Sequence, residues 1–470
     1  MLDILFKWEF SARDKSLFKR KPTTDFKIIR NDFDEAVAES KIEKRAPRGP
    51  GYTDIFAAMV SLCSTALKSC ENTLANFHSY LTDTCDKRIS DSALNRKLNK
   101  PEVKTFLKGV LNRLRSRLTG MPKFPYVTCV QRLCRNIGVS DVLTIDGTYL
   151  PVLASSEYQN DAGSGRTGIG IHALCSLIHG AICGITITQQ SSNERLYVQV
   201  EDLKNILILA DRGYPSYELL AHLLERDKEN NVKFVFRFNP HFKMEIKSAV
   251  NGAGEPLQLN EVTGEVNVRN NKHNRYICMR VLMHKPRDCK GVPKTIEVTV
   301  HRTYSQYHGT WNYFVTNVDP EVLPAYQVSS VYRIRWACEL IYKCAKSYTS
   351  MSAGVNSRHF NIVLFFIIAS IAAMFIRTLI ASLMRGTYGP ISMMKVHSRI
   401  KGLPFLINAM ALIAPGCKKP DKDLQDVADR YEKRCKKSHT SKRDQKLNKD
   451  YMLINEILSS NVYDPYKYRY

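Results

Sequence analysis

The chain has 470 residues, too many for one simple core at about 100–200 residues per domain, and its 44% apolar content is that of a globular protein. With 69 Lys and Arg against 45 Asp and Glu, the net charge of +24 excludes a polyanion-repelling surface. It makes nucleic acid the first partner to consider and an anionic membrane surface the second, with a plain solvated basic surface as the bland alternative. Thirteen cysteines without a CxxC pair point to reduced thiols in the cytosol, and Met1 to Phe10, carrying Asp3, Lys7 and Glu9, does not read as a secretory leader.

Residues 1–50 are polar and basic, with Lys19-Arg20-Lys21-Pro22 and a Pro/Gly break at Pro47 to Gly51, and read as a loosely ordered arm. From Asp54 to Leu118 apolar residues recur at helical spacing (Ile55, Met59, Leu62, Ala66, Cys70, Leu74), which predicts an all-α domain over 51–125. Positions 87–123 hold 11 Lys or Arg against Asp91 and Glu102, and Ser90 is placed to cap a helix carrying Arg96 and Lys97. That pattern fits a DNA-binding module, with a merely basic surface helix as the alternative.

The pattern changes at Val139. Val142-Leu143-Thr144-Ile145 is a short run of strand formers followed by Asp146-Gly147-Thr148, and Ile169–Leu177 and Gly180–Thr188 predict two strands joined at His179-Gly180. Ile206–Ala210 predicts a buried strand ending at Asp211-Arg212-Gly213, Ser216–Arg226 a helix and Lys233–Phe238 a further strand. Antiparallel strands followed by alternating strand and helix predict a mixed α/β sheet over 139–238. The glycines at 163, 165, 168 and 170 follow no strand that opens into a helix, so they read as a flexible approach to a hairpin and not as a phosphate loop.

Residues 239–322 are rich in Val, Thr, Asn and Gly, with strands expected at Tyr276–Met283, Thr295–Arg302 and Trp311–Thr316, a β-rich insertion splitting the α/β domain. Helical periodicity resumes near Leu323, making 323–415 the second part of that domain. Within it Ile362–Ile376 is an uncharged run of 15 residues, shorter than the roughly 20 of a bilayer span. Extension reaches Arg377, costly at a bilayer centre, so a buried core helix and no membrane is expected. The tail, 416–470, holds nine Lys or Arg between Arg430 and Lys449 and reads as partly disordered.

Asp146 and Asp211 each follow an apolar strand, from where an acid can point into a cleft. Taken singly, each is equally a turn former. In YRIRWACELIYKCAK, Tyr332, Arg335, Glu339 and Lys346 fall within an arc of about 60° on one helix, with Ala337, Leu340, Ile341, Cys344 and Ala345 on the other side. An isolated helix of this kind also reads as a solvated face with an Arg335–Glu339 ion pair worth about a few tenths of a kcal/mol.

The spacing Tyr-x2-Arg-x3-Glu-x6-Lys resembles the signature of the insertion-sequence DDE transposases, the group that includes hairpin-forming cut-and-paste enzymes. Thr144-Ile145-Asp146-Gly147-Thr148 and Asp211-Arg212-Gly213-Tyr214 resemble the segments bearing the two upstream aspartates of that family, and the 128 positions from Asp211 to Glu339 leave room for its β-rich insertion. The resemblance covers roughly Val139 to Ile380. It implies a ribonuclease-H-like catalytic domain behind an amino-terminal helical DNA-binding domain. It implies Asp146, Asp211 and Glu339 as catalytic acids holding two Mg²⁺ or Mn²⁺ ions, for cleavage and strand transfer at one site. Arg335 and Lys346 would clamp phosphates, and Tyr332 would bind a phosphate or stack on a base. Trp311 would receive a flipped base or simply pack. Partners implied are double-stranded DNA with terminal inverted repeats, target DNA and a second copy in a synaptic dimer, on the nucleoid in a bacterial cytoplasm. A nuclease or resolvase of the same fold without joining, and a non-catalytic DNA-binding protein derived from a transposase, are the competing readings.

Overall fold

The most apolar short run of the middle third, Ile206–Ala210, becomes a strand in which all five residues are buried, as expected for a parallel strand covered on both faces. It lies near the middle of a sheet in a computed structural model. The structure describes residues 4–6, 26–65, 72–85, 87–118, 127–151, 168–178, 181–189, 203–239, 243–258, 271–305, 308–336 and 355–383, with positions 338, 339, 342, 346, 349 and 351.

The strands are β1 (Ile4–Phe6), β2 (Asn72–Thr73), β3 (Asp141–Pro151), β4 (Gly168–Ser176), β5 (Ala181–Gln189), β6 (Ile206–Ala210), β7 (Val232–Phe238), β8 (Met244–Val250), β9 (Tyr276–His284), β10 (Thr295–Ser305), β11 (Thr310–Thr316) and β12 (Val355–Asn356). Ten of them form one sheet in the order β1-β5-β4-β3-β6-β7-β11-β10-β9-β8, while β2 and β12 pair separately. The β3–β6 and β6–β7 pairs are parallel, and the other pairs of the large sheet are antiparallel.

Alternation splits β6 and β7 between two cores. Ile206, Ile208, Ala210, Phe234 and Phe236 pack with helix α7 (Tyr217–Asn230) on one face. Leu207, Leu209 and Val235 pack on the other, with α6 (Val127–Ile137) and α8 (Ala325–Arg333). Helix α7 begins where Ser216 accepts from the Leu219 N–H at 3.2 Å.

The β-rich insertion carries on the main sheet. Strand β11 pairs with β7, Thr316 opposite Val235, so β8 to β11 extend the same sheet. A period-2 pattern marks a strand without naming its partner, and β7 would otherwise offer an open edge. Gly168 and Gly170 lie inside β4, not in a flexible approach. At Gly170 an added Cβ would stand 2.6 Å from Thr188 Oγ1, so only a bare backbone lets β5 approach. Gly163 and Gly165 lie outside the described residues, as do Lys19–Pro22, His179-Gly180 and the tail.

The region from Tyr52 to Leu118 is mainly helical as expected: α2 (Tyr52–Thr65), α3 (Leu74–Thr84), α4 (Asp91–Leu98) and α5 (Val103–Leu118), with Ser90 capping α4 through a 3.3 Å bond from the Ala93 N–H. Two expectations change. Part of the supposed arm is a helix, α1 (Phe26–Ser40), whose Phe33 meets Phe56 edge-on at 5.0 Å. The helical region also shares its core with the apolar helix α9 (Phe360–Leu383): Phe365 lies 5.4 Å from Phe56, and Phe366 lies 6.2 Å from Phe77. Although its 24 residues are long and apolar enough to cross a membrane, that helix is 94% buried within the protein over Phe360–Arg377, as a core helix is. The eight cysteines whose side chains are described are free thiols.

Candidate active site

Registers bring the two aspartates together. Ile145 on β3 faces Ala210 on β6, and the next residues along these parallel strands are Asp146 and Asp211. Alternation puts Asp146 on the face of Val142 and Asp211 on that of Leu209, the side covered by α8. Asp211 follows the end of its strand, as expected. Asp146 does not: β3 runs on to Pro151 because β4 continues to pair with it, Asp146 opposite Ala173.

The third carboxylate arrives from the chain beyond α8. The expected single helix is interrupted: α8 stops at Arg333, Ile334 and Arg335 form a turn, and helical geometry returns at Trp336. Tight i→i−3 bonds mark the junction, from Ile334 N–H to Val331 O at 3.2 Å and from Arg335 N–H to Tyr332 O at 3.0 Å. The four-residue arc on a regular helix therefore does not apply, and Arg335 is buried, at 8% exposure. Leu340, Ile341, Ala337, Cys344 and Ala345, expected to form the packed side, lie outside the residues whose side chains are described. Among the described residues of this stretch, Cys338 and Tyr342 are buried.

The Arg335 guanidinium meets all three acids. Nη1 lies 3.6 Å from Asp146 Oδ2, while Nη2 lies 3.8 Å from Asp211 Oδ2 and 2.5 Å from Glu339 Oε1. The Tyr332 hydroxyl donates to Asp211 Oδ1 at 2.9 Å, its ring resting 5.2 Å from Phe314. Burial pushes Asp146 up to about 6, against the pull of Arg335 and with a further push from Glu339. Burial acts the same way on Asp211, but the Arg212 N–H, the Tyr332 hydroxyl and Arg335 outweigh it and hold that carboxyl below its usual value. Burial raises Tyr332 well above the ordinary phenol range, so it stays a donor. Lys346 is lowered by burial, opposed by the charge of Asp146.

Four further residues were not singled out from sequence. Arg237, on β7, donates from Nη2 to Asn312 Oδ1 at 3.2 Å, and its charge also lowers Asp211. Alternation puts it on the face of Asp146 and Asp211, in the row that runs across β3, β6 and β7 to Phe314 on β11, with Asn312 two residues along β11 on that same face. A cation at the end of an apolar strand was the signal available for it. Tyr342 donates to the main-chain carbonyl of Asp146 at 2.8 Å, a bond with no sequence signature. Asp141, at the start of β3, is fully buried and accepts from Ser176 Oγ at 2.5 Å and from the N–H groups of Val142 and Ile178, and burial still lifts it to about 7.

The outlying candidates do not join this cluster. Arg96 is exposed on α4. Lys97, expected on the same DNA-facing helix, turns inward: its ammonium donates to Pro50 O at 2.7 Å and sits 5.3 Å over the Tyr52 ring. Trp311 is packed between strands, with the Arg302 guanidinium 4.0 Å over its ring and Tyr304 at 5.2 Å. Among the described residues no group of three His, Cys, Asp or Glu stands at metal-cage spacing, for a guanidinium lies among the three carboxylates.

With this geometry in view, the family is clear. The family model described as Transposase DDE domain matches residues 138–375, which contain all three acids. The chain belongs to the DDE-domain transposases. Among solved structures, a cryo-EM piggyBac transposase synaptic complex with hairpin DNA is 14% identical, with 92% of this chain and 87% of that chain covered and a TM-score of 0.39. No curated protein matches the chain.

Proposed function

We propose that this transposase cuts DNA at the ends of its element and joins those ends to target DNA, with Asp146, Asp211 and Glu339 as the catalytic acids. The observation that carries the reading is the meeting of three carboxylates, from β3, from the end of β6 and from the helical stretch after α8, around one buried guanidinium. The sheet is taken as ribonuclease-H-like, a reading supported by its order β5-β4-β3-β6-β7, three antiparallel strands followed by two parallel ones.

Three carboxylates are the donor chemistry of hard divalent ions such as Mg²⁺ or Mn²⁺, which take oxygen ligands, and Asp146, Asp211 and Glu339 would hold them once the Arg335 guanidinium that lies among them gave way. Two such ions supply, when bound, charge stabilisation at the attacking and leaving oxygens of a phosphodiester. The protein's own groups do the rest. Arg335 offers a planar fork of N–H donors suited to a phosphate, and Lys346 a second positive charge beside Asp146. Tyr332 keeps its proton and orients Asp211 through it. Trp311 would receive a flipped base only after Arg302 moved off its ring. The partners proposed are double-stranded DNA with terminal inverted repeats, target DNA and a second copy of the chain, in a bacterial cytoplasm.

Cleavage of end-bearing DNA with Mg²⁺ by Asp146→Asn, Asp211→Asn and Glu339→Gln tests this. Each is expected to bind ends and fail to cut. A variant keeping more than about a tenth of wild-type cleavage, a barrier change of only about 1.4 kcal/mol, takes its residue out of the site. Transfer of the cut strand into a target plasmid is the expected second product. Cutting without transfer would indicate a nuclease, and binding without cutting a transposase-derived DNA-binding protein.

A further inference from the structure

Tyr342 lies three positions after Glu339 in the same helical stretch and is 6% exposed. Its hydroxyl donates to the carbonyl of Asp146 at 2.8 Å and lies 3.4 Å from the carbonyl of Ile171 on β4. This contact falls where β3 loses its parallel neighbour, because β6 ends at Ala210 opposite Ile145. From there onward β3 is held by β4 on one side. One turn earlier on the same helical face, the Cys338 thiol contacts the Cys175 thiol of β4 at 3.2 Å. The stretch bearing Glu339 thus docks on the sheet through a soft sulfur contact and a directional bond. The directional bond ends on the backbone of one of the three acids.

We infer that Tyr342 is a positioning residue, whose hydroxyl ties the backbone of Asp146 to the helix that carries Glu339 and so sets the separation of the two acids. The inference rests on the reading of these acids as catalytic. Two carboxylates on different elements can share a metal ion only if their separation is held to about half an ångström, and errors of about 1 Å at such sites cost on the order of a hundredfold in rate. A carbon–carbon contact fixes distance loosely, whereas an O–H···O=C bond fixes distance and direction.

Tyr342→Phe keeps the ring and removes the bond. Cys338→Ala opens a small cavity on the same face without touching Asp146, and controls for packing. The four proteins to compare are wild type, Tyr342→Phe, Cys338→Ala and Asp146→Asn, all full length. Mn²⁺ binding is followed by electron paramagnetic resonance, alongside single-turnover cleavage, the apparent affinity for end DNA, and melting.

Tyr342→Phe is expected to weaken Mn²⁺ binding by about tenfold and to slow cleavage by about ten- to a hundredfold, with DNA affinity unchanged. Cys338→Ala is expected to melt earlier yet bind Mn²⁺ like wild type, and Asp146→Asn to lose both metal and cleavage. Wild-type behaviour of Tyr342→Phe beside a dead Asp146→Asn would overturn the positioning role and leave the catalytic reading intact. Equal losses in Tyr342→Phe and Cys338→Ala would also overturn it, since packing alone would then account for both. Wild-type behaviour of Asp146→Asn would overturn both readings together.

Discussion

The helical region and the centre of the sheet use their arginines in opposite ways. Arg113 on α5 reaches the carboxylates of Glu35 and Glu39 on α1, acids that are 67% and 64% exposed. Water and salt screen such a pair, and it contributes little. Arg335 has a side chain only 10% exposed and meets three acids, of which Asp146 is pushed up to about 6 by burial. A fold selected for stability alone would have packed apolar groups there. The contrast teaches where the basic composition is spent on structure. Arg113 and Lys97 are held by their own fold, whereas the cations around Asp146 and Asp211 sit where phosphate chemistry would need them.

The largest stability effect is expected on the apolar side of this contrast. Phe365→Ala removes a fully buried ring that joins α9 to Phe56 and Phe106. Denaturant melts should show a loss of about 3–5 kcal/mol. A loss below about 1 kcal/mol would mean that the helical region does not depend on α9 for its core.

Next comes Arg335→Ala, which leaves three carboxylates facing one another. It should slow cleavage by at least about tenfold and also lower the melting temperature, because breaking a buried charge cluster by removing one partner is costly. Lys346→Ala should slow cleavage with a smaller effect on melting. Identical melting of the two variants would put Arg335 on a par with a surface residue and erase the contrast.

The smallest effect is in pH dependence. Asp141 and Asp146 have folded values near 7 and 6, raised from 3.8 by burial. The folded protein then holds more protons than the unfolded chain between about pH 4 and pH 7, so stability falls as pH rises through that window and levels off above it. Asp211, held below 3.8, acts the other way and only in stronger acid. Asp141→Asn should flatten the decline between about pH 5 and pH 7 in thermal melts, and an unchanged profile would show that Asp141 is ionised without cost.

Much of this was legible in the sequence because it is local. Ile206–Ala210, Lys233–Phe238 and the Ser216-capped helix were expected within a residue or a few of where they lie, since periodicity and caps are written in neighbouring positions. The three acids stood out through the resemblance of their segments to the DDE family, since each alone also read as a turn former or part of a solvated face. Two expectations failed at longer range: α9 completes the helical core, and the helix bearing Glu339 breaks before it begins; the pairing of β8 to β11 with the main sheet was simply not specified.

By itself, then, the sequence determined which segments are strands or helices, that the chain is basic, and that Asp146, Asp211 and Glu339 merit notice. Tertiary structure alone decided their partners. The inward turn of Arg335 depends on i→i−3 bonds at Ile334 and on three carboxylates brought from distant elements. The Tyr342 bond spans 196 positions and ends on a backbone carbonyl, an acceptor that every residue possesses. A side chain's own neighbours specify its local conformation, but a hydrogen bond to a distant backbone leaves no residue type at the far end to read.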